Sequence, residues 1–443
     1  MARKPREPET ALIESVTHDG RGIAAVTGKK VFVAGALEGE TVTFLRRKRR
    51  RNFDEAELLA VESPSPLRIK PRCAAFGTCG GCALQHVSAD DQRRIKERTL
   101  RDNLERIGRV QPDTWLPPLY DTSEGGGWHY RRRARLAVKD VAAKGRVLVG
   151  FREAHAPYVC DMHRCEVLAK PVDGLIDALS ELIGALSIRA RLPQIEVAVG
   201  DNVIELVFRV LDPPSEEDLK HLGAFGDAHG LQIGLQSGGP DSVVPLDSDK
   251  HEPLVYQLPE HTIDIEFRAT DFVQVNAAVN RLMVSAAIDN LAVTSNHSVL
   301  DLYCGIGNFS LPLARCAAEV TGVEGEKAQV AQSRRNADKN GISNADFRQA
   351  DLAKVDGTEG WLRQGWDRML LDPARSGAAE IVACADVIGA PRIVYVSCHP
   401  GTLARDADTL VHTKGYRLEA AGIIDMFPHT GHVESIAVFQ KRY

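Results

Sequence analysis

From about residue 272 the chain alternates short apolar runs with helical stretches. HSVLDLYC, AEVTGVE, ADFRQAD, WDRMLLDP and RIVYVSC read as strands of the kind buried on both faces, and segments such as KAQVAQSRRNADKNG read as the helices between them. Consecutive parallel strands need helical crossovers, so this rhythm confines residues 272–443 to a doubly wound, Rossmann-like α/β sheet. The tail YRLEAAGIIDMFPHTGHVESIAVFQ adds strands without a clear helix, and its edge of the sheet is expected to be antiparallel.

Open α/β sheets bind ligands at the carboxyl ends of their strands. DLYCGIGN, from Asp301 to Asn308, follows the first strand and opens a helix, with Gly305 and Gly307 free to turn tightly against a ligand. Glu324 ends the next strand, 19 residues after Gly305, where a carboxylate can receive ribose hydroxyls. A dinucleotide fingerprint would place Gly or Ala where Ser310 stands. Asp301, on the strand itself, can accept from a cationic or polar ligand, so the set fits S-adenosylmethionine better than NAD. Asp351 closes the third strand, within reach of an adenine amino group, and Asp372, in LLDPAR, closes the fourth.

Cys398 ends the fifth strand, and Pro400 starts a helix at once, so the helix dipole is expected to favour its thiolate. A thiolate beside a methyl donor has a specific use. C5 of uracil is a poor nucleophile until a thiolate adds at C6 and generates an enolate. A base must then remove the C5 proton before the thiolate can leave. HTGHVESI supplies Glu434 for that role, with His432 as a second candidate.

The rest of the chain divides differently. Residues 1–64 read as short strands with glycine turns, a small antiparallel β-barrel of OB-like type. Residues 65–271 read as an α+β central domain. Within it Ser88 and Asp91 resemble a capping box for a helix over 89–108, with Ile95, Leu100, Leu104 and Ile107 as its apolar stripe. Net charge is −5, yet residues 1–72 carry 15 Lys and Arg against 10 Asp and Glu. RRKRRR (Arg46 to Arg51) and YRRRAR (Tyr130 to Arg135) are expected to meet phosphates, since adjacent cations repel without a polyanion. No run of 18 apolar residues offers a membrane span, and MARKPREPET has no apolar core, so a cytoplasmic protein is expected. Nine cysteines in such a chain suggest metal binding or catalysis before disulfides. Cys73, Cys79 and Cys82 lie close together and need a fourth ligand, for which Cys160 and Cys165 compete; spacing leaves zinc and an iron–sulfur cluster both open.

FVQVN, DLYCGIGNFSLPLA, GVEG, LLDPAR, VSCHP, TLARD and DMFPHTGHVES closely resemble the RNA uracil-C5 methyltransferases, and the likeness covers nearly the whole chain. DGRGIA and FVAGALEGE look like a TRAM RNA-binding domain, and RCAAFGTCGGCALQH like the iron–sulfur segment of the 23S rRNA branch. The resemblance implies Cys398 as nucleophile and Glu434 as base. It implies Gln274, Tyr303, Asn308, Glu324, Asp351 and Asp372 as S-adenosylmethionine contacts. It also implies a [4Fe-4S] cluster on Cys73, Cys79, Cys82 and Cys165, 23S rRNA as partner and a monomer. His399 and Asp351 depart from the family, where Asn is usual or frequent. A tRNA uracil-C5 methyltransferase and a non-catalytic RNA-binding iron–sulfur protein are the competing readings.

Overall fold

The computed structural model describes residues 7–17 and 19–442. Six strands between Glu9 and Ser63 build a sheet over its own small core, in which Val31, Val33, Val42 and Phe44 alternate inward. Its pairing is antiparallel with one exception: Lys29–Ala34 runs parallel to Phe53–Ser63. Phe53–Ser63 also pairs antiparallel with Thr41–Arg49, which carries most of the arginine run. That pairing sets acids beside the run, so repulsion among its cations is by itself no argument for a polyanion. Arg46 bridges Glu9 and Asp54, Arg47 meets Glu57, and Lys48 and Arg50 meet Glu55. The acids lie on the neighbouring strands and offset the repulsion locally.

Helix α1 (Ala89–Arg106) begins as the sequence implies, the Ser88 hydroxyl accepting from Asp91 N. Its buried face differs from the apolar stripe. Gln92, Lys96, Leu100 and Leu104 point inward at four-residue spacing, whereas Ile107 is half exposed. The expected hairpins Arg133–Val141 with Arg146–Gly150, and Gln194–Val199 with Ile204–Arg209, lie in a second six-stranded sheet. The loop after Gln236 contains a short further strand, Val243–Pro245, that the sequence did not suggest. Here too the arginine cluster is paired internally: Arg132 with Asp201 and Arg135 with Glu196, while Arg133 donates to the Ala269 carbonyl.

The C-terminal sheet holds Ser298–Leu302 (β1), Glu319–Glu324 (β2), Ala345–Gln349 (β3), Arg368–Leu371 (β4), Arg392–Ser397 (β5), Tyr416–Ile424 (β6) and Glu434–Lys441 (β7). Their order is β3-β2-β1-β4-β5-β7-β6, parallel as far as β5 and antiparallel beyond it. The two-residue strand Thr114–Trp115 adds to β6, too short to leave a sequence signal. Helix α2 (Ala277–Leu291) covers β4 and β5; α3 (Pro400–His412) follows β5 and packs on α1. The hairpin Leu254–Phe267 docks on helix Lys327–Lys339, Asp264 N and Glu266 N donating to Asn340 and Asn336. Among the described residues no helix is long and apolar enough to cross a membrane.

Candidate active site

The turn after β1 is drawn toward β2, because Tyr303 N and Cys304 N both donate to the Val323 carbonyl at 2.9 and 3.2 Å. Tyr303 takes φ +65° and Gly307 φ +101°; a Cβ on Gly307 would lie 2.9 Å from Leu311, so glycine is required there. Glu324, at the end of β2, accepts from Gly305 N (3.1 Å), Gly325 N (2.7 Å) and Glu326 N (3.1 Å). Asp301 is fully buried; one oxygen takes the Ser310 hydroxyl and the other has no partner among the described residues. Burial, reinforced by the charges of Asp372 and Glu324, pushes its carboxyl up to about 7. Burial also pushes Asp372, just past β4, up to about 7.

The other expected contacts are spread around this turn. Asn308 is locked by its side chain, accepting from Tyr256 Oη and Asn280 Nδ2 at 2.9 Å each. Gln274 lines a small void with those same two residues. Asp351 is exposed and pairs with Lys354 at 2.8 Å, which holds its carboxyl below the usual range.

Cys398 and Glu434 are brought together by the pairing of β5 with β7. Ser397 stands opposite Ser435 in the last pair of the ladder, and Cys398 and Glu434 are the next residue of each chain beyond it, so both emerge at the same end. Opposed residues share a face of the sheet, with Cβ atoms about 5 Å apart. The Glu434 carboxylate acts on the thiol. Burial first, then the Glu434 and Asp372 carboxylates, push the Cys398 thiol up to about 11, with Arg375 opposing. This reverses the expectation of a thiolate favoured by the dipole of α3. Carboxylates contributed by other strands outweigh a helix end capped by the His399 ring, which accepts from Thr402 N. Burial and Asp372 likewise hold Glu434 well above the usual carboxylate range. His432, the second base candidate, is exposed and its Nδ1 lies 2.9 Å from Arg375 Nη2. Arg375 itself, present in LLDPAR, received no role from the sequence. A cation could have been looked for where two acids and a thiol converge.

Cys398, His399, Arg375 and residues 430–433 wall a 410 Å³ cavity whose opposite side is Gly80–Ala83 of the cysteine segment. A second cleft of 810 Å³ shares that wall and carries Arg21, Arg68 and Arg152. In the cysteine segment burial pushes Cys79 up to about 12 and Cys82 and Cys165 up to about 11, and the thiols raise one another further. Cys160 also reaches Cys79, by a hydrogen bond. Gly81 N donates to Cys79 Sγ at 3.4 Å. No three His, Cys, Asp or Glu side chains among the described residues stand close enough to share a single ion.

The model of the tRNA (uracil-5-)-methyltransferase family matches residues 114–356 and 362–442. Proteins named 23S rRNA (uracil(1939)-C(5))-methyltransferase RlmD are similar over the full length. That of Alkalilimnicola ehrlichii is 50% identical across 99% of this chain and 98% of its own. That of Methylococcus capsulatus is 49% identical across the same shares, and that of Stenotrophomonas maltophilia 47% across 100% and 99%. The fold is similar to that of Pyrococcus abyssi tRNA (uracil-54, C5)-methyltransferase in complex with S-adenosyl-L-homocysteine, with TM-score 0.74 and 24% identity over 97% of this chain and 99% of the other. With a matching family model over most of its length and relatives at half identity end to end, the chain belongs to the RNA uracil-C5 methyltransferases and is an S-adenosylmethionine-dependent enzyme of that family.

Proposed function

We propose that this enzyme methylates C5 of a uridine in 23S rRNA, with Cys398 as nucleophile and Glu434 as base. The observation that carries the chemistry is that the pairing of β5 with β7 brings both residues to the carboxyl edge of the sheet, where the Glu434 carboxylate acts on the Cys398 thiol. The choice of ribosomal RNA rests on the relatives named above, 47–50% identical over nearly their whole length.

S-adenosylmethionine is a substrate here. The turn 303–308, Glu324 and the two elevated acids Asp301 and Asp372 suit it, because an unpartnered buried carboxyl oxygen favours a cationic or donor-rich ligand. Gln274, Tyr303, Asn308 and Asp351 complete the set as expected from the sequence. Asn308 contributes by fixing the turn against α2 through Asn280.

Cys398, after losing its proton to solvent, adds to C6 as the thiolate; the C5–C6 π pair shifts to C4–C5 and the carbonyl π pair moves onto O4 as an enolate. C5 then takes the methyl group, with the sulfonium carbon–sulfur bond breaking to leave the neutral thioether. Glu434 removes the C5 proton, the double bond re-forms, and the C6–S bond breaks to return the thiolate. Arg375, whose charge acts on both the thiol and the carboxyl, offsets the negative charge that addition creates.

Cys73, Cys79, Cys82 and Cys165 are the proposed holders of a [4Fe-4S] cluster. The chemistry of Cys79, Cys82 and Cys165 fits: thiols raised by burial and by one another would ionise together only around a cation, and a backbone N–H already points at the Cys79 sulfur. The cluster would order the wall that faces Cys398.

The roles are tested by trapping. Glu434→Gln should add to labelled rRNA, transfer the methyl group and stall, giving a shifted band on a denaturing gel; Cys398→Ala should give none. Normal turnover by Glu434→Gln, or a band from Cys398→Ala, refutes the assignment. Methylation of tRNA and not rRNA refutes the substrate.

A further inference from the structure

The nine residues between β6 and β7 lead directly into Glu434, and they are held far more tightly than a surface loop. Asp425 and His429 are buried, and His429 takes φ +67°. Two side chains of α1 do most of the holding. Lys96, with no exposed surface, donates to Asp425 Oδ1 at 2.7 Å and to the Phe427 carbonyl at 2.8 Å. Gln92, one turn earlier on the same face, accepts from His429 N at 2.8 Å and approaches His429 Nδ1 at 3.2 Å. Its amide also donates to the carbonyls of Leu84 and Val87, at 3.0 and 2.9 Å. The His429 carbonyl accepts from Ala83 N and Leu84 N at 2.9 Å each, immediately after Cys82. Trp128 stacks on the His429 ring at 3.8 Å.

We propose that Gln92 and Lys96 are positioning residues for the base, fixing through the 425–433 connection the orientation in which Glu434 enters β7. This rests on the reading of Glu434 as the base. The need is geometric. Glu434 is the first residue of its strand, where ladder bonds constrain only one side, and a one-residue slip would turn its side chain to the other face. Displacing a catalytic group by about 1 Å can cost about a hundredfold in rate. A buried lysine and glutamine are a poor way to fill a helix face, since each must be fully satisfied. Here every partner lies on the connection or on the cysteine segment beside it. The clamp therefore acts on the last step, removal of the C5 proton, rather than on thiol addition, which depends on β5.

The test compares Lys96→Met/Asp425→Asn, which strands no charge, and Gln92→Leu with the wild type and Glu434→Gln. Adduct on labelled rRNA, thermal midpoint and amide hydrogen exchange of residues 425–433 are measured in each. The expected result is folded variants with exchange in the connection at least tenfold faster and adduct clearance at least tenfold slower, while addition changes less than threefold. Folded variants that clear adduct at the wild-type rate while Glu434→Gln accumulates it overturn the proposal alone. So does an equal loss of addition and clearance, which would make the clamp merely structural. If Glu434→Gln itself clears normally while exchange rises in the clamp variants, the base assignment falls and the ordering role of the clamp stands. Should one variant fail to fold, the other carries the same readouts.

Discussion

Replacing Glu434 by Gln should make Cys398 a better nucleophile toward a small electrophile even as it abolishes turnover. Opposed side chains in an antiparallel pair place their charges about 5–6 Å apart. At an effective dielectric of about 20 to 40, two unit charges at that distance repel by about 1.5–3 kcal/mol. That is equivalent to about one to two pH units. Glu434 is the leading charge raising the thiol, which stands at about 11. The variant thiol should therefore titrate at about 9–10. On the alkaline limb, where Glu434 of the wild type is charged, the thiolate fraction rises about ten- to a hundredfold. Intrinsic nucleophilicity falls with basicity at a slope of about 0.5, leaving a net gain of about three- to tenfold. The assay is the pH dependence of iodoacetamide alkylation at Cys398, read by peptide mass spectrometry against Cys73 and Cys316 in the same sample. An unmoved profile, or one displaced to higher pH, would show that the two side chains do not face each other and would remove the basis of the proposed mechanism.

Two further outcomes follow from buried groups elsewhere. Anaerobically purified protein should be brown, Cys79→Ser should bleach it and Cys160→Ser should not; a colourless protein holding stoichiometric zinc would refute the cluster. Burial lowers His86 and His429 to about 4, so the unfolded chain binds more protons between about pH 6.5 and 4, and the stability these residues contribute above that window is lost as pH falls through it. Asp301 and Asp372, raised to about 7, and Glu434, also raised, act in the opposite sense, so they offset the loss through the histidines between pH 7 and 4. His86→Leu should unmask the acids: its stability relative to wild type should rise by about 1.4 kcal/mol per pH unit on acidification, measured by urea midpoints. A constant difference would refute the buried neutral state of His86.

What the sequence disclosed of the fold was whatever repeats locally. The strands after residue 298 are apolar on both faces, and the residues that end them fell along one edge because parallel crossovers leave no other arrangement. The Cys398–Glu434 pairing was not readable from their separation of 36 residues; it depends on β7 inserting between β5 and β6. The charge of the thiol was misjudged for the same reason. A helix dipole can be read from adjacent residues, but Asp372 and Glu434 come from other strands. RRKRRR looked like an unbalanced run because its acids lie across strand pairs, at Glu9, Asp54, Glu55 and Glu57. Gln92 and Lys96 were passed over because hydrophobic periodicity assigns polar side chains to solvent, and only the finished tertiary structure supplies their partners.

The electrostatics of the cleft argue for the order in which its chemistry can occur. Asp301, Asp372 and Glu434 all sit above the carboxylate range, and Cys398 sits above the thiol range, with Arg375 the nearest opposing charge at the thiol. Such a site is short of positive charge. Left empty it holds its acids partly protonated and its thiol neutral, which keeps the nucleophile unreactive toward stray electrophiles. A ligand carrying a sulfonium would favour the charged form of Asp372, lowering it toward its ordinary value, and its positive charge would favour the thiolate of Cys398 as well. Glu434 is the carboxylate that weighs most on the thiol, and in the proposed mechanism it is discharged when it takes up the C5 proton at the end. On that proposal the thiol becomes available when the methyl donor is in place. In the same proposal the donor leaves as a neutral thioether after methyl transfer, and the protonated base no longer opposes a charge on sulfur, so the thiolate can depart from C6.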